Sequence, residues 1–240
     1  MIDARWDVHV TEHRNPSAAE ARHGTLDVPL TVWQVADAAS LTAGLFAEFK
    51  PARGPIVAVD VPGWETIPRH ARHGIILTRN RRGATAVLKQ LPTAKQGLVT
   101  IRPVSLTNLS WTLAAIEARI GLVVASAWLL EREGAFAAAA NALKPDGLIA
   151  LIARSHDEQA RLTRLAAPPD IRDFSDDVPA ALGMAYAGHI VAAAPKVFDA
   201  AVAAAEARTA TRRSCPAAAR HFDVFLWRKT DADQDGEADA

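Results

Sequence analysis

Between residues 55 and 153 short apolar runs alternate with stretches of helical spacing, and this alternation constrains the fold more than any other feature of the chain. The runs are Ile56-Val57-Ala58-Val59, Ile75-Ile76-Leu77-Thr78, Leu98-Val99-Thr100-Ile101, Leu122-Val123-Val124-Ala125 and Leu148 to Ala153. They lack the polar alternation of a half-exposed strand, so both faces must be covered, as in a parallel sheet between helices. The spans 65–73, 84–91, 109–118 and 135–143 carry apolar residues at helical spacing and are long enough for the crossovers that parallel pairing requires. The expected fold is therefore α/β, with a central, mostly parallel sheet and helices on both faces.

The flanks are less regular. Val32, Val35, Ala36, Leu41, Leu45, Phe46 and Phe49 recur at helical spacing and predict one or two helices before Pro51-Ala52-Arg53-Gly54. Residues 1–26 mix charges around Trp6, Val8 and Val10 and read as a lead-in. Past His156, helices are expected over 157–165 and 198–208, residues 180–194 are apolar without clear period, and His221 to Trp227 predicts a last strand. Residues 230–240 are acidic and lack large apolar side chains, so a disordered tail is expected after one domain spanning 27–229.

Charge excludes several classes of function. Lysine plus arginine and aspartate plus glutamate number 27 each, and a pI near 7.1 gives no global attraction to nucleic acid or an anionic membrane. No stretch reaches the length of an apolar membrane span, and Met1 to Arg22 has no apolar leader core, so a soluble cytoplasmic protein is expected. Cys215 is the only cysteine, which rules out an internal disulfide, and no Cys/His spacing suits zinc. In the tail, Asp231, Asp233, Asp235 and Gly236 have the opening spacing of a calcium loop. The bidentate glutamate such a loop needs six residues after the glycine has no position here, so no metal site is expected.

The order of strands and helices from Pro55 to Ala153, with Ala142-Leu143-Lys144-Pro145-Asp146-Gly147 leading into the fifth run, resembles class I S-adenosylmethionine (SAM) methyltransferases. The resemblance implies a Rossmann-like fold closed by an antiparallel strand at Phe222 to Trp227. It also implies where a cofactor would lie. In that family the first strand ends in an acid followed by three glycine positions; here the turn is Asp60-Val61-Pro62-Gly63-Trp64-Glu65-Thr66, with Pro62, Trp64 and Thr66 on the glycine slots. An acid that takes the ribose hydroxyls usually ends the second strand, where this chain has Thr78-Arg79-Asn80. An aspartate that reads adenine usually follows the third, where Ser105, Thr107 and Asn108 stand. The fourth run opens with Gly121 and closes with Ser126-Ala127-Trp128, without an acid and without a D-P-P-Y or N-P-P-Y motif. Pro62-Gly63-Trp64 is also similar to the P-G-G-W turn of RNA ribose 2′-O-methyltransferases, whose Lys-Asp-Lys-Glu tetrad has no counterpart here.

The resemblance thus assigns cofactor contacts to Asp60, Gly63, Arg79, Asn108 and Ser126, in a degenerate site. His156, beside Asp157 and Glu158, is the candidate general base. Trp111 and Trp128 are candidate stacking platforms, and Cys215 lies near Arg212 and Arg213. Arg69, His70, Arg72, His73, Arg79, Arg81 and Arg82 bracket the second run. If Arg69, Arg72, Arg79, Arg81 and Arg82 meet at the carboxyl edge of the sheet, RNA or a phosphorylated ligand is the expected partner. The expected function is a methyltransferase-fold binding or scaffolding subunit with no bound cofactor, working with a protein partner or a paralogous methyltransferase subunit. The alternatives are a divergent methyltransferase that uses SAM on a small molecule, RNA or protein, and a cyclase or lyase with His156 as base.

Overall fold

The computed structural model describes residues 30–153, except 106, 117, 118, 128 and 130–133, together with 178–193 and 221–230. The lead-in, the helices expected over 157–165 and 198–208, the acidic tail from 231, Trp128, His156 and Cys215 lie outside the described residues.

Among the described residues eight strands form one sheet: β1 (Leu30–Gln34), β2 (Ile56–Val59), β3 (Gly74–Thr78), β4 (Val99–Pro103), β5 (Ile120–Ser126), β6 (Leu143–Ala153), β7 (Met184–Ala193) and β8 (His221–Lys229). Their order is β1-β7-β8-β6-β5-β2-β3-β4. β2 pairs in parallel with β3 on one side and β5 on the other, so the chain reverses its direction of travel across the sheet between β2 and β5. β3 to β4 and β5 to β6 are parallel as well. β8 is antiparallel to both β6 and β7, as the closing strand was expected to be.

Strand side chains alternate between two apolar layers. Val57, Val59, Leu77, Val123, Ile149, Phe225 and Trp227 pack on one face with α4 (Leu109–Ala114) and α5 (Ala135–Ala142). Ile56, Ala58, Ile76, Leu122, Val124, Val224 and Leu226 pack on the other face with α1 (Ala38–Glu48), α2 (Arg81–Leu88) and the 3-10 helix Trp64–Arg69. Crossovers on both faces are what right-handed connections produce when travel across the sheet reverses.

Three expectations need correction. Residues 30–34 form an edge strand parallel to β7 rather than the start of a helix. The helix begins only at Ala38, because Asp37 and Ser40 make a reciprocal cap in which the Asp37 carboxylate accepts from the Ser40 N–H at 2.8 Å. The aperiodic stretch 180–194 contains a short helix, α6 (Val178–Ala181), and the ten-residue strand β7. Sandwiched between β1 and β8, β7 lacks the apolar alternation that would mark it. Finally, the helix expected over 84–91 is α2, which runs from Arg81 and ends at Leu88, and a separate turn, α3 (Thr93–Gln96), follows Pro92.

Candidate functional site

In an open α/β sheet, ligands bind outside the carboxyl ends of the strands where travel reverses, which here is the crevice between β2 and β5. Val59 pairs with Ala125, so the next residues of the two strands, Asp60 and Ser126, stand side by side at that edge. Val59 also pairs with Leu77, which brings Thr78 and Arg79 beside Asp60 on the other flank. Tertiary structure therefore gathers Asp60, Arg79 and Ser126 in one place, as the resemblance implied.

Asp60 and Arg79 are in direct contact. Arg79 Nε donates to Asp60 Oδ2 at 2.6 Å and Nη2 converges on the same oxygen. Asp60 Oδ1 receives longer contacts, at 3.4 Å, from the Thr78 hydroxyl and the Arg79 N–H. The carboxylate side chain is 16% exposed, and the guanidinium side chain, at 52%, covers it from solvent. Asp60 also has φ 53, a left-handed backbone that aspartate tolerates better than most residues. Beside them, the Asn80 side chain caps α2 by accepting from the Gly83 N–H at 2.9 Å. The position that would offer an acid to ribose hydroxyls thus carries a cation bound to the acid of the neighbouring strand.

Gly63 does not open a pocket floor. Its φ is 79, and a Cβ there would lie 2.4 Å from the Ala39 carbonyl oxygen, so the glycine lets the turn after β2 press onto the first turn of α1. Trp64 is buried in the layer containing Trp33, Leu41, Leu45 and Ile67, where it acts as core. Asn108, at the cap of α4, accepts from the Ser105 N–H at 2.7 Å and donates its own N–H to the Ser105 hydroxyl at 3.3 Å. The amide oxygen proposed to read adenine is already holding its own turn. Ser126 is buried at the end of β5. At this edge Asp60 is thus ion-paired, Gly63 lies against α1 and Trp64 belongs to the core.

The basic bracket divides in two. Arg79, Arg81 and Arg82 lie at the carboxyl end of β3 and the first turn of α2, whereas Arg69, His70, Arg72 and His73 precede the amino end of β3. Five strand residues separate the groups, about 13 Å at strand rise. The expected convergence of five arginines at the carboxyl edge does not occur, because β3 itself stands between them.

One polar cluster went unrecognised in the sequence. Asp223, 4% exposed on β8, accepts from His189 Nε2 at 2.8 Å and from His221 Nε2 at 3.0 Å. His189 stacks on Phe225 with centroids 4.4 Å apart. Burial, and then the Asp223 charge, push the Tyr186 phenol well above its ordinary pKa, so it stays protonated. The spacing His221-Phe222-Asp223 places the imidazole and the carboxylate on one strand face, and that signal was legible. His189 sits in a stretch whose strand character was not. A carboxylate between two imidazoles fixes which ring nitrogens carry protons, a geometry suited to proton transfer.

No protein-family model matches the sequence, and no curated protein is detectably similar to it in sequence. Solved structures are similar in shape. The N-methyltransferase NodS from Bradyrhizobium japonicum WM9, in complex with S-adenosylhomocysteine, superposes with a TM-score of 0.49 at 10% identity, over 80% of this chain and 85% of that one. An rRNA methylase from Streptococcus thermophilus gives 0.48 at 9% identity, over 82% and 99% of the two chains. The cyclase SpnF gives 0.47 at 14% identity, over 79% and 80%. At such identities resemblance concerns fold alone, and one fold hosts many chemistries. On its own strand order, with five parallel strands reversing travel between β2 and β5 and an antiparallel β8 beside β6, the chain has the Rossmann-like fold of class I methyltransferases.

Proposed function

We propose that this chain is a methyltransferase-fold protein whose SAM site is closed, and that it works as a non-catalytic binding or scaffolding subunit for a protein partner such as a paralogous methyltransferase. The Asp60–Arg79 ion pair carries this reading. A methyltransferase of this fold needs the carboxylate ending β2 for the methionine end of SAM and a second acceptor ending β3 for its ribose. Here the place of the second acceptor is taken by a donor, Arg79, which binds the first. Opening the crevice would leave a 16%-exposed carboxylate without its charge partner, a penalty that SAM, itself a cation at sulfur and ammonium, would have to offset.

Calorimetric and thermal-shift titration with SAM and S-adenosylhomocysteine tests the reading. A ligand present at a hundred times its Kd stabilises by about 2.7 kcal/mol, so no melting shift at millimolar ligand is the expected result. Saturable binding to the wild type, weakened by Asp60→Asn, would reverse the proposal and favour a divergent SAM-dependent methyltransferase. One observation favours that competing reading: the Arg79 side chain is half exposed and has solvent to swing into.

A further inference from the structure

At the opposite, amino-terminal edge of the sheet, three connections frame an open cleft of about 630 Å³. Lys50 to Gly54 lead into β2, Pro68 to Arg72 lead into β3, and Leu98 precedes β4. The volume lies within the range of small-molecule sites, roughly 300–1,000 Å³. Its lining carries Lys50, Arg53, Arg69, His70 and Arg72 and no carboxylate. Among the described residues no acid pairs with Lys50, Arg53, Arg69 or Arg72, although the chain has as many acids as bases. Like charges around one cleft repel each other, and the His70 imidazole is held below its ordinary value by burial first, then by the charges of Lys50 and Arg69.

The cleft is built on rigid backbone. Gly54 has φ 92, and a Cβ there would lie 2.3 Å from the Arg119 carbonyl oxygen, so the loop carrying Lys50 and Arg53 is pressed onto the approach to β5. The Gly121 N–H donates to the Pro55 carbonyl at 3.0 Å and the Ile56 N–H to the His73 carbonyl at 3.1 Å, which ties the first two connections to the sheet. The cations are thus presented from fixed frames, the arrangement that lowers the ordering cost of binding an anion.

We infer that this amino-edge cleft is a binding site for a small phosphorylated ligand, held through its phosphate by Arg69, Arg72, Arg53 and Lys50. Guanidinium groups match phosphate oxygens with paired, charge-assisted hydrogen bonds, and a dianion relieves the mutual repulsion of the lining. The remaining lining is Pro51, Ala52, Gly54, Pro68, Ala71 and Leu98, with no phenyl or indole ring to stack a base. Single-stranded nucleic acid sites combine a cationic track with such stacking surfaces, so the cleft fits a compact phosphate ester better than RNA.

Inorganic pyrophosphate is the probe, titrated calorimetrically into the full chain at two salt concentrations, with a ten-nucleotide single-stranded RNA as a parallel arm. The expected result is saturable binding at one site, weakened by higher salt and at least tenfold by the Arg69→Ser, Arg72→Ser double variant. The charge-matched control, Arg81→Ser with Arg82→Ser on α2, should bind as wild type. All these arginines are exposed, and unchanged melting curves will confirm that each variant folds. Absence of pyrophosphate binding, or equal loss in the control pair, overturns the site. RNA binding tighter than pyrophosphate and lost in the Arg69/Arg72 variant overturns the ligand class.

Discussion

The two edges of this sheet treat their polar side chains in opposite ways. At the carboxyl edge, where the fold ordinarily receives ligands, Asp60 is bound by Arg79, Asn108 by Ser105 and Asn80 by the backbone of Gly83. At the amino edge, Lys50, Arg53, Arg69 and Arg72 surround a cleft with no acid among its lining residues. Satisfied groups stabilise a fold, whereas repelling groups held close together diminish its stability and persist where something else compensates. The usual ligand edge of a fold is thus a prior about where to look, and the local pairing of charges decides whether a ligand is still wanted there.

Both edges are pinned by a glycine with positive φ, and the largest expected effects come from those two positions. Gly63→Ala adds a left-handed alanine, about 1–2 kcal/mol, to an overpacked contact with Ala39, about 1–3 kcal/mol. Chemical denaturation should therefore show a loss of about 2–5 kcal/mol, and Gly54→Ala against the Arg119 carbonyl a similar one. Gly97→Ala is the control, since nothing lies within 4 Å of the Cβ position and φ is −66, so it should be neutral or slightly stabilising. If Gly63→Ala proves as harmless as Gly97→Ala, α1 does not close the carboxyl edge and the contrast between the edges fails.

Next in size is the ion pair. A double-mutant cycle over Asp60→Asn and Arg79→Ala should give a coupling of about 1 kcal/mol, above the usual value for fully exposed pairs because the carboxylate side is largely covered. Asparagine keeps the tolerance for φ 53, so the cycle reads charge rather than backbone strain. Zero coupling would mean that the carboxyl edge is open to ligands after all.

The smallest effect is a pH dependence at the amino edge. The His70 imidazole is held below 6.5 by burial, Lys50 and Arg69, so on acidification the unfolded chain takes up this proton before the folded one. Stability should accordingly fall as pH drops below about 6.5 and level off once the folded state is protonated as well. His70→Gln should flatten that slope in melting curves between pH 7 and pH 5. An unchanged slope would show that the cations crowd His70 less than the cleft geometry implies.

Sequence pattern located four of the five parallel strands within two residues, because a strand buried on both faces must be apolar throughout and its breaks are marked by Gly54, Pro62-Gly63 and Gly74; it started the fifth at Leu148, whereas β6 begins at Leu143. It misplaced β1 and β7, which are paired with each other at the margin of the sheet and carry weaker patterns. The Asp37 and Ser40 cap that separates β1 from α1 was present in the sequence but not read, since its third helical residue is serine rather than glutamate. For the site, the missing glycines and acids were legible residue by residue. That Arg79 compensates Asp60 was not, since the two are nineteen residues apart and meet only through the register of β2 and β3.

What the sequence determined by itself is therefore the type of each central element and the residues that stand where the resemblance would place cofactor contacts, both of which are written in local apolar period and residue identity. The tertiary structure alone decided which strands became neighbours, and with that which charges met. Residues 69 to 82 form one basic run along the chain, but β3 crosses the sheet between Arg72 and Arg79 and delivers the two halves to opposite edges. One half found an acid at the end of β2, and the other joined Lys50 and Arg53 around a cleft. Electrostatic energy depends on distance in space, and a parallel strand converts a few residues of sequence into the full thickness of a sheet edge to edge.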